Sequence, residues 1–138
     1  MPYHHMGLTC TDALAVEAFY VKHFGFRRTR TVVLGPDKQI VFIRAGDVYL
    51  ELFQSGEPAP PRPSADGPAH PGWRHIAFQV DDVDAALAAL GDDATITLGP
   101  LSFDAFLAGW RAVWIADPEG NIIELAQGYV DEDATPSA

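Results

Sequence analysis

Two histidines and two glutamates recur at matching places in this sequence. His5 opens HMGLTCTD at residues 5–12, and His75 opens HIAFQVDD at residues 75–82. Glu51 begins ELFQ at 51–54, and Glu124 begins ELAQ at 124–127. Imidazole nitrogen and carboxylate oxygen are both donors for a divalent cation, and such an ion replaces the hydration that a carboxylate loses on burial. Each Glu is flanked by aliphatic residues, Leu50 and Leu52 in one case and Ile123 and Leu125 in the other. A strand's period of two therefore turns each carboxylate away from those neighbours. With the aliphatic face packed under helices, the opposite face carries His5, Glu51, His75 and Glu124 together with Tyr49, Phe53 and Ile122. A divalent metal held by two imidazoles and two carboxylates is the chemistry expected.

The elements that must position these residues also repeat. Each His starts a short alternating strand: His5, Gly7 and Thr9 oppose Met6, Leu8 and Cys10, while His75, Ala77 and Gln79 oppose Ile76, Phe78 and Val80. By the same alternation His4 is expected on the face opposite His5, away from the site. Asp12 and Asp82 follow as helix N-caps, because a carboxylate accepts from the first free N–H groups of a helix. Apolar residues then recur at helical spacing, Val16, Phe19 and Tyr20 in the first copy and Val83, Leu87 and Leu90 in the second, with Gly25 and Gly91 placed to end the helices. Three strand-like segments complete each copy: TVVL, QIVFI and VYLELF, then TITL, RAVWIA and NIIELA. The fold class expected is α+β, two tandem βαβββ modules with a period of roughly 70 residues.

The chain's 138 residues suit one domain. Module 1 is expected over about 3–54 and module 2 over about 74–128. Residues 55–73, with six prolines, read as a linker or lid, and residues 129–138 as a fraying acidic tail. Nineteen acids against nine bases leave a formal charge of -10, which repels phosphate backbones and anionic lipid heads, so neither nucleic acid nor membrane is an expected partner. The lone cysteine, Cys10, forms no intrachain disulfide and reads as a buried thiol. The N-terminus lacks the pattern of a secretory signal, and cytoplasm is the expected location.

The order of His, Glu, His and Glu through repeated βαβββ units, with HMGLTCTDALAVEAFYVKHFGF, GWRHIAFQVDDVDAAL and DPEGNIIEL, resembles the vicinal oxygen chelate superfamily over residues 3–128. That group includes glyoxalase I, methylmalonyl-CoA epimerase, extradiol dioxygenases, fosfomycin resistance enzymes and bleomycin-binding proteins. The resemblance implies an incomplete β-barrel with helices outside, a homodimer, and His5, Glu51, His75 and Glu124 as ligands of one divalent ion, zinc, nickel, cobalt, manganese or iron. These ligands come from one chain or are shared across the dimer. Extradiol cleavage uses two His and one carboxylate and keeps positions open for dioxygen as well as substrate. Four protein ligands on an octahedral ion leave two, which suits a glyoxalase I-like lyase or isomerase working through a metal-stabilised enediolate, with Glu124 or Glu51 leaving the metal to act as base. A dioxygenase and an aromatic antibiotic-binding protein are the alternatives.

Glyoxalase I holds a glutathione carboxylate with an Arg on its first strand, where this chain has Thr9, which turns the expected substrate away from glutathione conjugates. Tyr49, Phe53, Phe103, Phe106 and Trp110, with Thr9 and Gln79, are expected to line the substrate cavity, and Trp73 to border it. A small or aromatic carbonyl metabolite fits that lining. Arg74 and Arg111 are candidates to hold a substrate carboxylate. His23 closes a helix, and His70 is expected in solvent.

Overall fold

The computed structural model describes residues 1–60 and 65–132. The chain forms two compact units, Met1–Arg62 with Asp117–Gly120, and Pro63–Ala116 with Asn121–Ala138.

The first unit runs β1 (Met6–Cys10), α1 (Ala13–Phe24), β2 (Arg27–Gly35), β3 (Lys38–Ala45) and β4 (Val48–Gln54). Its strands lie in the order β1-β4-β3-β2, with β1 parallel to β4 and the other pairs antiparallel. The Asp12 carboxylate accepts from Ala15 N at 3.0 Å and so starts α1. Gly25, at φ 70, ends it in the left-handed conformation that glycine adopts without cost, its N–H donating to Tyr20 O. Val16, Phe19 and Tyr20 of α1 are buried, as are Val41, Ile43, Leu50 and Leu52 of the sheet on which the helix packs. Cys10 is buried as expected.

The second unit repeats this order: β5 (Ile76–Gln79), α2 (Val83–Leu90), a 3-10 turn (Gly91–Asp93), β6 (Thr95–Ser102), β7 (Arg111–Ala116) and β8 (Ile122–Gln127). Its sheet order is β5-β8-β7-β6, with β5 parallel to β8. The Asp82 carboxylate accepts from Ala85 N at 2.8 Å. Val83 and Leu90 of α2 are buried, and α2 packs on β7 and β8. The expected α+β fold of two βαβββ modules is therefore present.

The helix starts have additional partners that recur in the same way. Gln54 Oε1 accepts from Ala13 N at 2.9 Å, and Gln127 Oε1 accepts from Val83 N at 2.7 Å. In the first unit, Glu119 adds a carboxylate at the start of α1: its oxygens accept from Thr11 Oγ1 at 2.8 Å and Asp12 N at 2.9 Å. The first turn of α1 holds no acidic residue, so Glu119 adds to the negative charge of the Asp12 cap that the helix dipole favours there. Asp117, in the same turn, is buried and accepts from Tyr20 OH at 3.0 Å. Burial first, and the Asp117 charge second, hold the Tyr20 phenol well above its ordinary pKa.

The segment expected as a linker or lid is divided. Residues from Ala65 onward join the second unit: Ala65 O accepts from Thr97 Oγ1 at 2.6 Å, and Asp66 pairs with Arg74 at 3.0 Å. Of the expected linker, residues 61–64, and of the expected tail, residues 133–138, lie outside the described residues.

Candidate metal centre

Glu51 lies between Leu50 and Leu52, both buried on the helix side of β4, so alternation sends its carboxylate to the other face with Tyr49 and Phe53. The parallel register sets Gly7 beside Glu51, and His5 stands one residue before β1. There His5 Nε2 is 3.2 Å from Glu51 Oε2, with the side chains 36% and 14% exposed. Phe42, opposite Glu51 on β3, brings its ring within 6.1 Å of the His5 ring.

The second unit reproduces this pair. Ala77 is in register with Glu124, His75 stands one residue before β5, and His75 Nε2 is 3.3 Å from Glu124 Oε2. These side chains are 20% and 17% exposed. Trp114 replaces Phe42 as the aromatic neighbour: it faces Glu124 across the β7–β8 pair, 6.3 Å from His75 by ring centroids. Trp114, Ala112 and Ile122 form an apolar cluster on this face with Leu98, Phe103 and Ala126. Trp114 Nε1 is buried and has no acceptor among the described residues.

The outer nitrogen of each histidine is also engaged. His75 Nδ1 lies 2.6 Å from the Asp66 carbonyl oxygen. A carbonyl only accepts, so this nitrogen carries a proton, and in neutral imidazole the other nitrogen, Nε2, is left with its lone pair. That lone pair then faces the carboxylate of Glu124. Two electron-rich atoms at this distance need a cation between or upon them, either a proton on Nε2 or a metal ion accepting from both. The donor set thus fits a divalent ion, with the carbonyl fixing the imidazole as metal-binding histidines are commonly fixed. Among the described residues each pair stands as two donors, and no group of three or more His, Cys, Asp or Glu is gathered.

In the first unit the outer partner is His4, which corrects the expectation that His4 faces away. His4 Nδ1 lies 2.7 Å from His5 Nδ1, and its ring sits 5.5 Å from that of Tyr49. Strand β1 begins only at Met6, so the alternation of a strand does not govern residues 4 and 5. At most one of two facing imidazole nitrogens in such a bond carries the proton. His5 therefore keeps a lone pair on Nε2 when its Nδ1 donates to His4.

The remaining candidates divide. Tyr49 and Phe53 lie on the His5–Glu51 face, and Thr9, exposed, is in register with Phe53. Gln79 is exposed and in register with Ala126. Phe103 joins the apolar cluster beside Trp114 and packs on Trp110 at 4.8 Å, and Trp110 in turn meets Tyr129 at 5.4 Å. Phe106 and Trp73 are 81% and 86% exposed. Arg74 and Arg111, candidates for a substrate carboxylate, are instead paired within the protein, with Asp66 and with Asp84, each at 3.0 Å. The hydrogen bond and charge of Arg111 hold the Asp84 carboxyl below its usual range. His70 is exposed, and His23 lies in the last turn of α1.

The model of the glyoxalase/bleomycin resistance protein/dioxygenase superfamily matches residues 3–125. The chain belongs to this superfamily. Within the glyoxalase superfamily it is similar to YaeR of Escherichia coli (strain K12), 33% identical over 129 residues, with 88% of this chain and 92% of that protein covered. It is also similar to the 2-epi-5-epi-valiolone epimerase of an Actinomyces species, 32% identical over 149 residues, with 88% of this chain and 76% of that enzyme covered. Among solved structures, a glyoxalase family protein from Enterococcus faecalis aligns with a TM-score of 0.70 at 29% identity, covering 91% of this chain and 96% of the other. No helix among the described residues is long and apolar enough to cross a membrane.

Proposed function

We propose that this glyoxalase-superfamily chain is a metal-dependent lyase or isomerase in which His5, Glu51, His75 and Glu124 hold one divalent ion. The observation that carries this reading is the fixed His75: its Nδ1 proton is held by the Asp66 carbonyl, so that Nε2 presents a lone pair beside the Glu124 carboxylate. The His5–Glu51 pair has the same separation to within 0.1 Å.

When bound, the ion held by these residues would supply Lewis acidity to a substrate carbonyl. The chain's own groups do the rest. Glu124 takes the proton from the carbon beside the carbonyl, and Glu51 is the equivalent base on the other module. Trp114 stands opposite Glu124 on β7 and, with Phe103 and Ile122, forms an apolar cluster on that face. Tyr49 and Phe53 give the first module an aromatic flank for a small or aromatic carbonyl metabolite. Similarity to an epimerase supports proton removal and return, since epimerisation inverts a carbon that must lose a substituent and regain it.

Elemental analysis of protein purified without chelator tests the metal, and solvent deuterium uptake into a panel of α-hydroxycarbonyl compounds and 2-acyl thioesters tests the proton transfer. We expect a first-row metal in stoichiometric amount and exchange in at least one compound. Protein that holds no metal and takes up none on reconstitution would instead favour a binding role for the aromatic residues.

A further inference from the structure

A second concavity lies beside His5, about 340 Å3 in volume and lined by Tyr3, His4, Arg44, Asp47 and Tyr49. Arg44 is near the end of β3, Asp47 lies in the β3–β4 turn, and Tyr49 is on β4 two residues before Glu51. Arg44 is held in place twice. Its Nε donates to Gly46 O at 2.7 Å, and its guanidinium carbon stands 5.7 Å from the centre of the Tyr49 ring. Neither tie uses the terminal amino groups, which have no acceptor among the described residues. No ion pair joins Arg44 to Asp47 there either.

The other walls are also fixed. Tyr3 OH donates to Tyr49 O at 3.4 Å, and the Tyr49 hydroxyl pairs with Thr29 Oγ1 at 3.1 Å. His4 uses Nδ1 on His5, which leaves its Nε2 edge as its remaining polar group. The pocket therefore offers a guanidinium oriented through Nε, with its two terminal amino groups left as donors, aromatic sides and one carboxylate.

We propose that this pocket binds the carboxylate end of the substrate, and that Arg44 is the residue that recognises it. A guanidinium fork matches a carboxylate in plane, and prior fixation of the fork reduces the ordering cost of binding. Asp47 decides between anions. Its negative charge repels a dianionic phosphate more strongly than a singly charged carboxylate, and it accepts from a hydroxyl or amine on the adjacent carbon. A 2-hydroxycarboxylate supplies both groups. The contact of His4 with His5 joins the pocket wall to the proposed metal centre. Calling the ligand a substrate rests on the function proposed above; calling the pocket a carboxylate site does not.

The test is titration of the full chain with L- and D-lactate, acetate and inorganic phosphate, followed through the Arg44 Nε–Hε and Tyr49 backbone amide NMR signals. Metal content is measured on the same samples. Lactate of one hand is expected to bind more tightly than acetate or phosphate. Arg44→Gln should weaken lactate binding by about 10-fold or more, the loss of a charge-assisted hydrogen bond, without changing metal content. Asp47→Asn should strengthen phosphate binding relative to lactate. Equal lactate binding by the Arg44→Gln variant, tighter binding of phosphate than lactate by the unaltered protein, or no saturable shift with any probe would overturn the proposal. Arg44-dependent lactate binding in protein that takes up no metal would leave this pocket standing and remove the metal-dependent reading.

Discussion

The carbonyl oxygen of Asp66 and Nδ1 of His75 are 2.6 Å apart, and this contact fixes which nitrogen of the imidazole is available to a cation. Asp66 precedes His75 by nine residues in a segment whose composition reads as a tether. Selective 15N NMR of metal-free protein should therefore show His75 protonated at Nδ1. A spectrum in which that nitrogen carries the lone pair would show that the imidazole is not oriented for metal through Nε2.

Replacing Glu124 by Gln keeps the shape of the side chain and removes both a charge that neutralises a dication and a base that can take a proton. Metal affinity and deuterium exchange should both fall. Glu51→Gln should lower metal affinity similarly, because the two pairs have matching geometry. Retained metal and exchange in both variants would assign the site to other residues.

His4 was expected to be irrelevant to the site, and its bond to His5 reverses that. His4→Phe keeps a ring against Tyr49 but removes the nitrogen facing His5 Nδ1. Outer partners of metal-binding histidines commonly change affinity by about 10–100-fold, so Co(II) affinity measured by absorption should drop by about that range. His4→Asn, which offers an acceptor oxygen, should recover part of the loss. Affinity unchanged in the Phe variant would make the His4–His5 contact incidental.

Tyr20→Phe deletes the donor to the buried Asp117 carboxylate, which keeps the Glu119 N–H at 2.9 Å. The cost should be about 1.5–3 kcal/mol, toward the lower end because of that remaining bond. Tyr20's pKa is raised in the folded state above the ordinary 10.0, so its contribution is fully present below that value and is lost as pH rises through the folded pKa. Denaturant titrations should show the gap between the unaltered protein and the variant constant at neutral pH and shrinking on the alkaline side. A gap that widens there would contradict the assignment.

Much of this was legible because it recurs. Asp12 and Asp82 cap helices in the structure as their positions predict, and alternation around Glu51 and Glu124 places each beside its module's histidine. The aligned Gln54 and Gln127 were visible as a matched pair, although their role at the helix starts was not deduced. His4 was misplaced because β1 begins at Met6, one residue after the pair in question. Asp66 contributes a backbone carbonyl, for which side-chain type carries no signal. Trp114 was hidden in RAVWIA, whose middle four residues are buried on both faces, so period two cannot tell the site face from the helix face. Arg74 and Arg111 look free in sequence because their partners, Asp66 and Asp84, lie in other segments.

The turn at 117–120 belongs to the first unit, although the chain reaches it only after most of the second has been written. Glu119 caps a helix start 108 residues behind it, and Asp117 receives a hydroxyl 97 residues behind. During synthesis, this module must therefore leave its first helix without those contacts until residues 117–119 have emerged. The repeat boundary is likewise no place to divide the gene. A fragment ending at Gln54 would keep all the strands of its sheet, yet lack the two carboxylates that finish its helix.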